Sequence, residues 1–284
     1  MRGEAPPSTL KVAMNEMGGY RNSFTVALTG LNVEQKAAFA QAAFWDSCPY
    51  GPDDFDSCVS RVVYSNKADP QTQEEATAIW RLTVKDADER KVGRAFSNAN
   101  VHTGLSSIPG MYGLGGGPGG GTPYGIYRPA VIASKLVPQY VHVLGGANSL
   151  VDSVAPTGEP VEVEVAAPAG WSDGPTLPVA LGTIVGARSG DKGGDANLGV
   201  YARSDAGFDW LDWFLTTERL QELLPEAAPL VVDRYRLPNI RSLNFVIRGL
   251  LEEGVAASTR QDSQAKALGE WLRARIVDVP ESLL

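Results

Sequence analysis

The chain has 284 residues but only two cysteines, Cys48 and Cys58, and two histidines, His102 and His142. Two cysteines in WDSCPYGPDDFDSC exclude the disulfide framework of small secreted domains, and they fall short of the ligand set of structural zinc. They read as reduced thiols of a cytosolic protein. The two histidines lie far apart in sequence, so a histidine metal site or a Ser-His-Asp triad would depend on tertiary contacts; His142, in YVHVLGG, reads as a satisfied strand histidine. No metal and no cofactor is expected. Positive charge is also scarce: 25 Lys and Arg against 33 Asp and Glu leave a formal charge of -8. No basic run stands out to displace counterions from phosphates, which argues against a nucleic-acid partner. Long apolar runs are missing too. No stretch approaches a membrane span, and the opening MRGEAPPSTL lacks the apolar centre of a signal peptide. The expectation is a cytoplasmic protein with no membrane partner.

What is present is an ordinary globular composition, 43% hydrophobic and 20% charged, enough for one large domain or two ordinary ones. Residues 9–15 (TLKVAMN) and 23–29 (SFTVALT) read as strands joined by a turn at GGYRN. From Asn32, a candidate cap, Val33, Ala37, Ala40 and Phe44 recur at helical spacing, and Pro49 ends the pattern. Trp80, Leu82 and Val84 alternate with Arg81, Thr83 and Lys85 as in a half-buried strand. Residues 88–98 suit a short helix with Val92, Ala95 and Phe96 on one side. Residues 104–129 hold so many glycines and prolines that they read as one long loop, flexible or closing over a ligand. Gly115, Gly117 and Gly120 fit GxGxxG there, but no strand-to-helix context supports a dinucleotide site. Strands are predicted again at 130–137, 140–144 and 161–165 (VEVEV), followed by a linker at 166–178.

Past the linker, VALGTIV and LGVYAR read as strands and WLDWFL with TERLQELL as helix. VVDRYRL and SLNFVIRGLL read as strands, and a last helix capped by Asp262 buries Ala265, Leu268, Leu272 and Ile276. The order β-β-α-β-β-α predicts an α+β domain, with helices on one face of a mostly antiparallel sheet.

The densest candidate chemistry is GARSGDKGGDANLGVYAR, residues 186–203. Arg188, Ser189, Asp191, Lys192, Asp195 and Asn197 stand among Gly186, Gly190, Gly193 and Gly194. The stretch is read as the loop joining two strands, with glycines that let something approach the backbone. Its spacing is not that of a P-loop, and Ser189 with Lys192 in SxxK spacing lacks the helix such a pair needs. Either the loop binds a ligand or it is an exposed turn whose charges pair locally. RLPNIRSLNFVIRG adds Asn239, Arg241 and Asn244; in a strand Asn244 and Phe245 must face opposite ways, so the asparagine either satisfies backbone groups or faces a ligand. Asp53, Asp54 and Asp56 lack calcium-loop spacing and read as solvated loop.

On GARSGDKGGDANLGVYAR and LPNIRSLNFVIRGLLEEGVAASTRQDSQAKALGEWLRARIVDVPESLL, the chain resembles the acyclic terpene utilisation (AtuA-type) family. The resemblance implies a ferredoxin-like α+β domain over residues 179–284, although the order read above differs from plain βαββαβ. Through TLKVAMNEMGGYRNSFTVALTGLNVEQKAA, residues 1–165 are similar to the later part of the family's α/β large domain. The expectation is therefore a separately encoded partner chain, or self-association, to cover a sheet cut short. The family name implies catabolism of branched terpenoids through CoA thioesters. On that reading Asp191 and Lys192 are the catalytic candidates of a lyase or hydratase acting on an acyl-CoA or carboxylate. Arg188, Ser189, Asp195, Asn197, Asn239, Arg241 and Asn244 would bind it. The competing expectation is a non-catalytic subunit whose polar loop docks a partner.

Overall fold

The computed structural model describes residues 7–152, 170–171 and 174–284. The protein is α+β and divides into two units: Met17–Ile126, and the stretch up to Glu16 together with the residues from Tyr127 onward.

The first unit contains most of β1 (Thr9–Thr29), then α1 (Val33–Ser47), β2 (Ser57–Val63), β3 (Thr77–Asp86), α2 (Phe96–Gly104), β4 (Met111–Gly113) and the start of β5 (Thr122–Ala133). The strands lie in the order β2-β3-β1-β4, with β5 also pairing β1. The predicted turn at GGYRN is not formed. β1 continues through it because antiparallel pairing with β3 runs unbroken from Tyr20↔Asp86 to Thr29↔Thr77, and Gly19, at φ 112°, absorbs the irregularity. The expected stripe of α1 is buried at Val33, Ala37, Ala40 and Phe44, with Asn32 entering through a left-handed conformation and making no side-chain cap. Phe44 meets Phe24 and Phe96 at centroid distances of 5.2 and 5.3 Å, and Trp80 stands edge-on to Phe24 at 5.1 Å. These rings form the core of the unit. The stretch read as one loop, 104–129, contains β4 and the larger part of β5, because pairing with β1 satisfies backbone groups there despite the glycines.

The second unit carries the hairpin of β6 (Gln139–His142) and β7 (Asn148–Val151), then β8 (Thr176–Ala180), β9 (Val185–Lys192), β10 (Asp195–Ala202), α3 (Asp205–Phe214), α4 (Thr217–Leu223), β11 (Val232–Leu237), β12 (Ser242–Ile247), α5 (Leu268–Arg273) and β13 (Ile276–Pro280). Four antiparallel strands lie in the order β11-β12-β10-β9, and β8 pairs separately with β13. VALGTIV is thus not one strand: a 3-10 turn at Leu181–Thr183 divides it. Ile276 opens β13, 65% exposed, and does not belong to the last helix. Nor does Asp262 cap that helix: α5 starts at Leu268 with Ala267 at its cap position and no side-chain cap, Ala265 is buried ahead of it, and Asp262 accepts from the Lys266 and Ala267 N–H groups in the preceding turn. The predicted strand at 161–165 lies outside the described residues.

The helices cover one face of the four-stranded sheet, α3 and α5 packing on β10, α5 on β9 and α4 on β11. Between the layers Leu198, Val200, Leu243, Phe245 and Ile247 meet Trp210, Leu211, Leu215 and Leu220. Each such large side chain removed from water contributes about 1.5–3 kcal/mol. The period of two then dictates the rest. With Leu198 and Phe245 inward, Asn197 and Asn244 must stand on the opposite, uncovered face.

Candidate functional site

The charged stretch is strand nearly throughout, and only Gly193 and Gly194 turn the chain. Gly193 has φ 69°, the positive value a two-residue hairpin demands at its first central position. The close approach its glycines permit is made by the protein itself. A Cβ on Gly194 would lie 2.2 Å from the Glu252 carbonyl oxygen, and one on Gly193 would lie 2.9 Å from the Tyr127 ring. The Leu251 N–H donates to the Gly194 carbonyl at 2.8 Å, and the Tyr127 N–H to that of Glu253 at 3.1 Å, which locks the turn in place.

Strand alternation sorts the predicted residues onto two faces. Ser189 and Asp191 pair across from Leu198 and Ala196 and share the helix-covered side. Ser189 Oγ accepts from the Gly269 N–H at 2.9 Å and donates to the Lys266 carbonyl at 3.3 Å. Asp191 lies 3.9 Å from Lys266 Nζ. Both therefore fasten the start of the last helix. Arg188, Lys192, Asp195, Asn197 and Asn244 occupy the uncovered side. Asp191 and Lys192, neighbours in sequence, thus point away from each other, and the only hydrogen bond from Lys192 Nζ among the described residues goes to the Asp191 carbonyl.

On the uncovered side one row crosses all four strands: Arg188, Gly199, Asn244 and Tyr235 are successive cross-strand partners. Asn197 Nδ2 donates to Asn244 Oδ1 at 2.9 Å. That bond fixes both amides and leaves Asn197 Oδ1 and Asn244 Nδ2 uncommitted among the described residues. Gly199 makes the floor. The nearest atoms a Cβ there would meet are the Arg188 carbonyl oxygen at 3.7 Å and Asn244 Oδ1 at 4.0 Å. Half-buried Gly199 thus leaves a hollow free of side chain, flanked by the Arg188 guanidinium on β9, the Asn244 amide on β12 and the Asn197 amide along its own strand. Arg188 makes no ion pair or side-chain hydrogen bond among the described residues. Tyr235, 49% exposed, ends the row; alternation from Asn244 into β11 was the signal that could have found it, and Gly199 was hidden because a glycine shows no side.

The other predicted residues are committed elsewhere. Asp195 accepts from Arg248 Nη1 and from the Gly249 N–H, both at 2.9 Å. Asp233 also holds Arg248, and the hydrogen bonds of Asp195 and Asp233 push the Arg248 guanidinium above its ordinary range. Arg241, at φ 51°, closes the 3-10 turn Pro238–Ile240 and pairs with Asp205; Asn239 lies exposed in that turn. Both sit in the turn between β11 and β12, off the row. Outside the face, Cys58 is a poor nucleophile, since burial and then the charge of Asp53 push its thiol up to about 11. Among the described residues no group of acidic, histidine or cysteine side chains is arranged to hold a metal, and no helix is long and apolar enough to cross a membrane.

Fold and site together define an α+β protein whose second unit is a sheet-and-helix sandwich with one polar, open sheet face. The chain belongs to the acyclic terpene utilisation family AtuA, which its sequence matches over residues 1–143, and the AtuA ferredoxin-like domain matches residues 179–278. Neither a curated protein nor a solved structure matches it. Membership of this family supports a role in acyclic terpene utilisation.

Proposed function

We propose that the chain acts in the breakdown of acyclic terpenoids by binding a branched acyl-CoA, or its parent carboxylate, on the uncovered face of the β9–β12 sheet. The observation that supports this most directly is Arg188: a guanidinium without an anionic partner among the described residues, set across a glycine floor from the Asn197–Asn244 pair. A carboxylate or thioester oxygen in that hollow would take the Arg188 charge, with Asn244 Nδ2 as a second donor, and Lys192 farther along the face would meet the phosphates of a CoA. If the bound acyl group undergoes addition or loss of water, or cleavage beside the carbonyl, the carboxylates on this face are Asp195 and Asp233, and proton transfer would require one of them to release Arg248. Asp191 then serves the scaffold from the other side.

The competing role is assembly, in which the same face docks a partner chain or a second copy. Exposed Tyr201, Tyr235, Leu237 and Ile240 fringe the face and favour that reading. A thermal-shift panel of branched free acids and their CoA esters separates the two. A bound ligand raises the melting midpoint by mass action; the expected result is a rise with the acids or esters that Arg188→Ala abolishes while its own midpoint stays unchanged. A flat panel, for the chain alone and for the chain with a co-purifying partner, overturns ligand binding in favour of assembly.

A further inference from the structure

On the helix side of the second unit lies a cleft of about 350 Å³, lined by Trp171, Trp210, Trp213 and Phe214 and by β13, with Asp278. An adjoining hollow of about 310 Å³ shares Trp213, Phe214 and Arg219 and adds Glu218 and Glu222. Three carboxylates, Glu218, Glu222 and Asp278, therefore line the space against one cation, Arg219. That cation is already balanced. Arg219 Nη1 lies 2.7 Å from Glu222, and its guanidinium rests over the Phe214 ring at 5.2 Å. Trp210 stacks on Phe214 at 4.5 Å with 12° between planes. Trp213 remains 44% exposed. Asp278 has neither an ion pair nor a side-chain hydrogen bond among the described residues.

We infer that this cleft binds a small organic cation, an alkylammonium or quaternary ammonium head group. The faces of indole rings carry negative potential and attract such cations. The excess of carboxylates works in the same direction and opposes an anionic ligand. Arg219 over Phe214 is an internal instance of the same attraction. Trp213, 44% exposed, supplies the ring face, and Asp278 on β13 supplies the balancing charge. This site is separate from the β9–β12 sheet face, and the inference stands whether or not that face binds a ligand.

The test is a titration of the full chain, labelled with 15N, with choline, following the indole N–H signals. The Trp213 signal is assigned as the one missing from Trp213→Phe. It is expected to move saturably with choline and about tenfold less tightly with the uncharged isostere 3,3-dimethylbutan-1-ol. Asp278→Asn, at an exposed strand position and expected to leave the melting midpoint unchanged, should weaken choline about fivefold, and Trp213→Ala should abolish the choline-dependent shifts of the remaining indole signals from Trp171 and Trp210. Equal affinity for the isostere, choline binding undiminished in Asp278→Asn, or a response elsewhere that survives Trp213→Ala would each overturn the inference.

Discussion

Gly194 and Gly199 sit on the same strand-turn-strand unit and exist for opposite reasons. At Gly194 there is no room, the Glu252 carbonyl standing 2.2 Å from where a Cβ would go. At Gly199 there is room, and the space is the feature. Gly194→Ala should therefore cost about 1–3 kcal/mol of stability, read from the shift of a urea unfolding midpoint, because backbone must move. Gly199→Ala should leave stability the same or raise it by up to about 1 kcal/mol, since alanine is better suited to a strand interior. It should also erase any ligand-induced rise in melting midpoint, because the methyl group fills the floor of the hollow. The amides were legible in the sequence: period-two alternation separates Asn244 from Phe245 before any coordinates exist. The cause of the glycines was not, since Tyr127 and Glu252, which press on the turn, are remote from it along the chain.

At the scale of elements, short polar side chains decide where the helices begin. Ser204 accepts from the Gly207 N–H at 3.1 Å and starts α3; Thr216 accepts from the Arg219 N–H at 3.2 Å and starts α4. Ser204→Ala should cost about 1 kcal/mol, visible as a lower melting midpoint with unchanged ligand response. The stripe of α1 and the alternation of β3 could be read directly, because each is a local pattern that burial then enforces. GGYRN misled for the converse reason. Its composition suits a turn, but ten consecutive residue pairs with β3 override local preference. The charged run 186–192 misled likewise: its polar residues suggest loop, yet as strand they need only alternate between a helix-facing and an open side.

At the scale of the whole molecule, the least foreseeable feature is a buried charge cluster in the second unit. Asp212 on α3 is 4% exposed and holds both Arg234 and Arg236 of β11, at 2.7 Å to Arg234 Nη2 and 2.8 Å to Arg236 Nε. Burial pushes the Asp212 carboxyl up, but the hydrogen bonds and charges of Arg236 and then Arg234 outweigh it and hold the carboxyl below its ordinary range. A folded-state value below the unfolded one means stability that is complete above the ordinary carboxylate range and is lost as pH falls through and below it. Urea midpoints should therefore drop between pH 7 and pH 3 by more in the native protein than in Asp212→Asn. Asp212→Ala should cost about 3–5 kcal/mol at neutral pH, because two part-buried arginines lose the carboxylate that balances their charge. The sequence showed an acid among tryptophans and two arginines in a strand, but not that the chain would bring them to one point.

Tyr127 carries a practical consequence for dissecting the protein. Its ring packs beside Gly193 and its Cβ beside Gly254, while the Lys11 ammonium lies over the ring at 5.4 Å, and its neighbour Arg128 is tied to Glu16 at 2.9 Å. A fragment expressed from residue 174 would arrive with its hairpin bend stripped of this wedge. Its loss of function would then report a missing buttress and not a missing reagent, and only fragments that keep Tyr127 would give a fair trial.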